Sequence, residues 1–224
     1  VDPKRWALPS HNVVAGLVFT QNAYNFPAAL LQAPKFDAAQ SAEPDAFNFG
    51  AIGAIVGHEL THYIDTLGAD YDAQGAKRHW WSADDKARYE AATQALVDQF
   101  SSYRPFPDVA VDGKAGLVEN LADLMGLTAA FEAYRRTLAG HARKDDAEFV
   151  KQHDRLFFIG FARSWRAKYS DDALRKQAAT DHPPEPYRIA TVRNLEAWYH
   201  AFDVKPGHRL YLEPRDRVQL WAVP

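Results

Sequence analysis

No cysteine occurs anywhere in the chain, which excludes disulfides, thiolate metal ligands and a cysteine nucleophile. Any bound metal ion must therefore be held by imidazole and carboxylate. A basic excess is missing as well: 26 Lys and Arg stand against 29 Asp and Glu, for a formal net charge of -3. That balance offers no electrostatic footprint for nucleic acid or an anionic lipid surface. Nor does any apolar run have the length to span a bilayer, and the opening VDPKRWALPSHN has neither the basic nor the apolar region of a secretion signal. Repeats, low-complexity tracts and linkers are also absent, so residues 1–224 read as one domain.

What is present is enough apolar material for a substantial core, 47% of 224 residues. Residues 12–32 mix β-branched and aromatic side chains and predict one or two strands ending at Pro27. A helix is expected from about Phe47 to Leu67, ending near Gly68. Ser82 followed by Asp85 resembles a capping box and opens a second helix through about Tyr103, with Ala91, Leu96, Val97 and Phe100 on its buried side. A third runs from about Leu117 to Leu138 behind the stripe Leu121, Leu124, Met125, Leu127 and Phe131. A fourth, from about Asp146 to Tyr169, carries the aromatic run LFFIGFARSW, and a fifth spans about Tyr187 to Phe202. Trp80, Trp81, Phe157, Phe158, Phe161 and Trp165 are expected in the core. The fold class is thus mainly α with a small β-sheet, an α+β arrangement.

Residues 58–62 read HELTH. Histidines four apart on a helix present two ring nitrogens from one face to a single metal ion, and Glu59 between them is free to move a proton. A hydrolytic zinc site needs about three protein ligands and one open position. The missing ligand is found in ENLAD, at residues 119–123, where Glu119 and Asp123 share a helix face. Glu119 is assigned as third ligand to one Zn2+ ion beside His58 and His62, and Asp123 as the carboxylate that reaches a ligand histidine. Glu59 is assigned as general base, and Asp65, three residues past His62, as a carboxylate able to orient that ring. His11, His79, His141, His153, His200 and His208 have no motif around them and are read as structural or solvent-facing.

Together with FPAALLQAP (26–34), the Trp80–Trp81 pair, LFFIGFARSW and the closing HPPEPYR followed by a terminal Trp region, these motifs make the chain resemble the catalytic portion of the neprilysin family of zinc metallopeptidases, within the gluzincin group. The resemblance covers nearly the whole chain. It implies a thermolysin-like catalytic domain in which His58, His62 and Glu119 bind zinc, Glu59 is the catalytic base, and Asp123 and Asp65 support the two histidines. It further implies that His182 stabilises the transition state and that Arg188 binds a substrate carbonyl. Family members place an orienting acid two residues before that histidine, where this chain has Thr180. Asp181 is the other candidate, and the choice stays open. The family's Asn-Ala substrate clamp falls on Val14 and Ala15, so only backbone contacts from Ala15 are expected there, by strand-like addition of the substrate. An apolar primed pocket is also implied. Family members are roughly three times as long and cap the site with a large helical N-terminal lobe, so the chain is expected either to be a fragment or to receive that lobe from a separate chain, and the surface the lobe would cover invites self-association. The same resemblance favours a secreted or periplasmic location, which the sequence itself leaves open. The implied activity is endopeptidase cleavage of short or flexible peptides. Two rivals remain: a non-catalytic protein stabilised by its metal, and a zinc hydrolase of a non-peptide amide.

Overall fold

The computed structural model describes residues 6–41 and 45–220. The terminal Trp221 of the sequence motif lies outside them. The expected strand region is a short antiparallel hairpin, β1 (Gly16–Val18) and β2 (Ala23–Asn25), paired Gly16 to Asn25 and Val18 to Ala23. Its connection passes through Asn22 in the left-handed conformation, which asparagine tolerates better than most residues. Among the described residues the other named elements are helical, with two isolated β-bridges, Tyr71 to Lys77 and Phe106 to Val109, giving the expected mainly α architecture with a small sheet.

The histidine-bearing segment is less continuous than its pattern predicts. Asp45 caps α1 (Ala46–Asn48), accepting the Asn48 N–H, and the chain then widens into a π-helical stretch, Phe49–Gly53, before α2 (Ala54–Thr61). The helix ends about six residues before the expected Leu67. Its end has a local cause: the Asp65 carboxylate accepts the N–H groups of Leu67 at 2.7 Å and Gly68 at 3.3 Å, which replaces the helical ladder with a side-chain-closed turn. Asp65 therefore sits beyond the helix, and its contact with His62 arises from this turn rather than from a shared helix face.

Helix α3 (Ala83–Ser101) begins with the Ser82–Asp85 capping box, both reciprocal bonds being made. Helix α4 (Leu117–Ala139) follows as expected, whereas α5 (Ala147–Ser164), capped by Asp146, ends five residues before the expected Tyr169. The short α6 (Asp171–Gln177) was not anticipated, although Ser170 caps it and its charges run acidic to basic along the dipole. The last predicted helix is divided into α7 (Glu185–Ile189), a 3₁₀ segment Ala190–Asn194, and α8 (Glu196–Phe202). Leu195 takes an extended conformation between the two pieces.

Leu96, Phe100, Leu121, Leu127, Tyr134, Phe157 and Phe161 form the centre of the core. Trp80 departs from expectation: it is 51% exposed, lying edge-on against Trp81 while its indole N–H donates to the Gly68 carbonyl at 3.0 Å. Its polar edge anchors the turn after α2, so packing is only part of its task. Val56, Leu60 and Ile64 also remain exposed on the outer side of the α2 segment. Among the described residues, no helix is long and apolar enough to cross a membrane.

Two helix contacts fix the site. A Cβ on Gly57 would lie 2.6 Å from the Gly126 carbonyl oxygen, and one on Gly126 would run into the His58 backbone nitrogen. Helices α2 and α4 thus touch backbone to backbone beside the first histidine, which only glycine permits. The same device, Gly50 on Phe157 and Gly160 on Phe47, seats α5 against the α1 and π-helical segment.

Candidate metal centre and its cleft

The close α2–α4 contact brings the two motifs together. His58 and His62 project from the end of α2, Glu119 and Asp123 from the first turns of α4, and all four are buried. His58 Nε2 and His62 Nε2 stand 3.1 Å apart, and Glu119 reaches them at 3.3 Å (Oε2 to His58) and 3.7 Å (Oε1 to His62). One ligand atom from each residue falls within 4.8 Å of the others, and no other group of three or more such residues is found among the described residues.

Each imidazole is oriented from behind. Asp123 Oδ1 lies 2.9 Å from His58 Nδ1, and Asp65 Oδ2 lies 2.6 Å from His62 Nδ1. With both Nδ1–H groups donated to carboxylates, the neutral rings turn their Nε2 lone pairs toward one point. Two lone pairs facing at such a distance repel, so either a proton on one Nε2 is shared between the rings as a hydrogen bond or a cation lies between their axes. Ligand nitrogens about 2.0–2.1 Å from a tetrahedral zinc would be separated by roughly 3.3 Å, close to what is found. Glu119 Oε2 is buried yet makes no hydrogen bond. An orphaned carboxylate oxygen beside two convergent imidazoles fits a divalent cation.

Electrostatics point the same way. Burial pushes against protonation of His58, but its hydrogen bond to Asp123 and its close contact with the Glu119 carboxylate win and raise its pKa to about 9. Burial likewise pushes the Glu119 carboxyl up, yet contact with His58 and the charges of His182 and Arg188 hold it below its ordinary value. The cluster is therefore built for an added positive charge, whether proton or metal. Glu59 is shifted upward, chiefly by burial and against the pull of His58 and His62, which makes it a stronger base than an exposed glutamate.

Arg188, from α7, closes the back of the site. Its Nε and Nη2 donate to the two Asp123 oxygens at 2.7 and 2.8 Å, a fully buried fork. Among the described residues Nη1 has no hydrogen-bond partner, and Arg188 lines the cleft. His182, on the loop between α6 and α7, is half exposed, with Nε2 at 3.2 Å from Glu119 Oε2. Asp181 Oδ1 lies 2.9 Å from its Nδ1, whereas the Thr180 hydroxyl lies 2.9 Å from both the Gln177 and His182 carbonyl oxygens and shares its one proton between them. Of the two candidates, Asp181 touches the ring and Thr180 holds the loop backbone.

These groups open on a cleft of about 400 Å³ lined by Val13, Val14, Ala15, Leu30, Lys35, Ile55 and Trp165 in addition to His58, Glu59, His62, Glu119, His182 and Arg188. The cleft thus collects the sequence-predicted residues except Asp65 and Asp123, which stand behind the histidines. Lys35 and the wall role of Trp165 were missed. A lone lysine inside the apolar stretch FPAALLQAPKF was the available signal.

The model of Peptidase family M13 matches residues 18–218. Neprilysin-3 of Drosophila melanogaster is 34% identical, over 99% of this chain and 28% of its own length. The neutral endopeptidase of Lactobacillus helveticus is likewise 34% identical, over 99% of this chain and 32% of its own. In structure, the Mycobacterium tuberculosis zinc metalloprotease Zmp1 in complex with an inhibitor superposes with a TM-score of 0.86 and 37% identity, covering 99% of this chain and 34% of Zmp1. The chain spans about a third of the length of each of these relatives.

Proposed function

The chain belongs to peptidase family M13, and from that premise we propose that it carries the catalytic centre of a zinc endopeptidase acting on short or flexible peptides. The observation that carries the reading is the convergence of His58, His62 and Glu119, with Glu59 in the same cleft. His58, His62 and Glu119 would hold one zinc ion, which supplies the Lewis acidity that activates water toward a carbonyl.

The chain's own residues divide the remaining work. Glu59 accepts the proton released as water attacks and passes it to the leaving amine, a role suited to its raised pKa. His182 donates to the oxyanion that forms at the scissile carbonyl, worth roughly 3 kcal/mol of barrier lowering. Arg188 offers Nη1 to a substrate carbonyl while its other nitrogens hold Asp123. Asp123 and Asp65 keep the ligand imidazoles in one tautomer and one orientation. Ala15, at the edge of the hairpin, offers backbone groups to an extended peptide, and Val14 contributes no side-chain amide.

Substitution Glu59→Gln tests the reading, because it removes the base and spares the ligands. Zinc content by elemental analysis should be unchanged while cleavage of a quenched peptide library falls by about 10² to 10⁴-fold. Zinc retained with no cleavage that depends on Glu59 would support the non-catalytic alternative instead. Cleavage confined to non-peptide amides would support the other.

A further inference from the structure

The cleft beyond the metal cluster is walled by Leu30, Ile55 and Trp165, with Leu30 and Ile55 buried. An apolar pocket was the expectation. Instead, the half-buried Lys35 extends into this wall, its Nζ 4.2 Å from the centroid of the Trp165 ring and donating to the Ser164 carbonyl at 2.6 Å. The Arg188 guanidinium lies 4.0 Å from the same ring.

Two cations therefore share one indole, but their partners differ. Arg188 is neutralised by Asp123. Lys35 forms no ion pair with any carboxylate among the described residues, and one neutral carbonyl satisfies only one of its three donors. Burial followed by the charge of Arg188 pulls its pKa down to about 8, as expected of an amine short of negative neighbours. Glu185 and Asp123 act on it only at longer range. A partly desolvated ammonium in an apolar wall gains most from an entering anion, since water competes poorly there.

We propose that Lys35 is a specificity-determining residue: its ammonium selects peptides carrying an Asp or Glu side chain next to the scissile bond, in the pocket formed by Leu30, Ile55 and Trp165. This deepens the peptidase reading and rests on it. A plainer role is available, because Ser164 is the last residue of α5 and Lys35 caps its terminal carbonyl. A cap alone would change stability and leave selectivity untouched.

The test uses the zinc-loaded protein, Lys35→Met and Lys35→Arg, with quenched peptides that differ only in Glu, Gln or Leu at each residue flanking the cleaved bond. The wild type should favour Glu over both Leu and the isosteric Gln by roughly ten- to a hundredfold in kcat/KM at one of the two positions. Lys35→Met should reverse the order toward Leu, and Lys35→Arg should keep it. Equal rates for Glu and Leu in the wild type, or an acidic preference that survives Lys35→Met, would overturn the proposal. So would a Lys35→Met variant that melts earlier with unchanged selectivity. Should the wild type cleave none of the peptides, the peptidase reading fails separately. Calorimetric binding of the same peptides to the zinc-loaded Glu59→Gln protein then decides the role of Lys35: tighter binding of the Glu peptide, lost in the double variant with Lys35→Met, supports it, and equal or absent binding sinks it.

Discussion

One wall of the cleft is made of two helices in backbone contact, and the other of loop segments that meet across Trp165. On the helical wall, His58, His62, Glu119 and Asp123 are each less than a tenth exposed, and the imidazoles have fixed partners behind them. On the loop wall, the His182 side chain is 51% exposed and Lys35 is half-buried with spare donors. The buried wall holds its side chains through burial and fixed hydrogen-bond partners. Under the peptidase reading proposed above, the looser wall would meet the variable part of a substrate, where adaptability costs little and charge placement decides what binds.

Arg188 joins the two walls, so its removal should have the largest effect. Asp123 is buried and held far below the ordinary carboxylate pKa, where the guanidinium outweighs the cost of burial. Arg188→Met leaves that charge with His58 alone. Loss of one member of a buried pair costs about 3–5 kcal/mol, and urea unfolding should show it, together with weaker zinc binding through the disoriented His58. A loss under about 1 kcal/mol would mean that the fork contributes little to the fold beyond its desolvation cost.

The helical wall can be tested at its tightest point. Gly126→Ala places a methyl group against the His58 backbone and should separate α2 from α4, at about 1–3 kcal/mol of stability. Zinc affinity should fall with it, since His58 and His62 stand on one side of the contact and Glu119 on the other. Gly53→Ala is the control: its new methyl would meet nothing closer than 3.6 Å and should be neutral or slightly stabilising. Equal effects at the two glycines would show that the close approach is not what positions the ligands.

The same contrast governs what could be read from the sequence. Helices α3, α4 and α5 were legible because a 3.6-residue pattern and a capping residue are local, and the pairing of His58 with His62 and of Glu119 with Asp123 follows from that same period. The early end of α2 was not, since it depends on Asp65 bonding two later N–H groups instead of continuing the ladder. Nor was the split before α8, which turns on the extended backbone of Leu195. The glycine crossing and the placement of Lys35 beneath Trp165 join segments far apart in the chain, and no periodicity carries that information. Family resemblance reached His182 and Arg188, but the Asp123 fork that occupies most of Arg188 became visible only in three dimensions.

The smallest effect gives the sharpest form of the comparison. Asp123 and Asp181 stand at the same 2.9 Å from a histidine Nδ1, one on each wall. Distance alone would give them equal weight in orienting their rings. Burial separates them: the Asp181 side chain is 73% exposed and that of Asp123 only 2%. Water and salt screen the first pair, which leaves it about 0–1 kcal/mol, so Asp181→Asn should lower kcat by less than roughly fivefold. Asp123→Asn should instead weaken zinc binding by about 10 to 100-fold. Raising the ionic strength should erase the difference between wild type and Asp181→Asn while leaving the Asp123→Asn defect in place. If Asp181→Asn proved as damaging as its buried counterpart, His182 would have to be held far more rigidly during turnover than its half-exposed loop position implies, and the division of the cleft into a fixed wall and an adaptable one would fail at that residue.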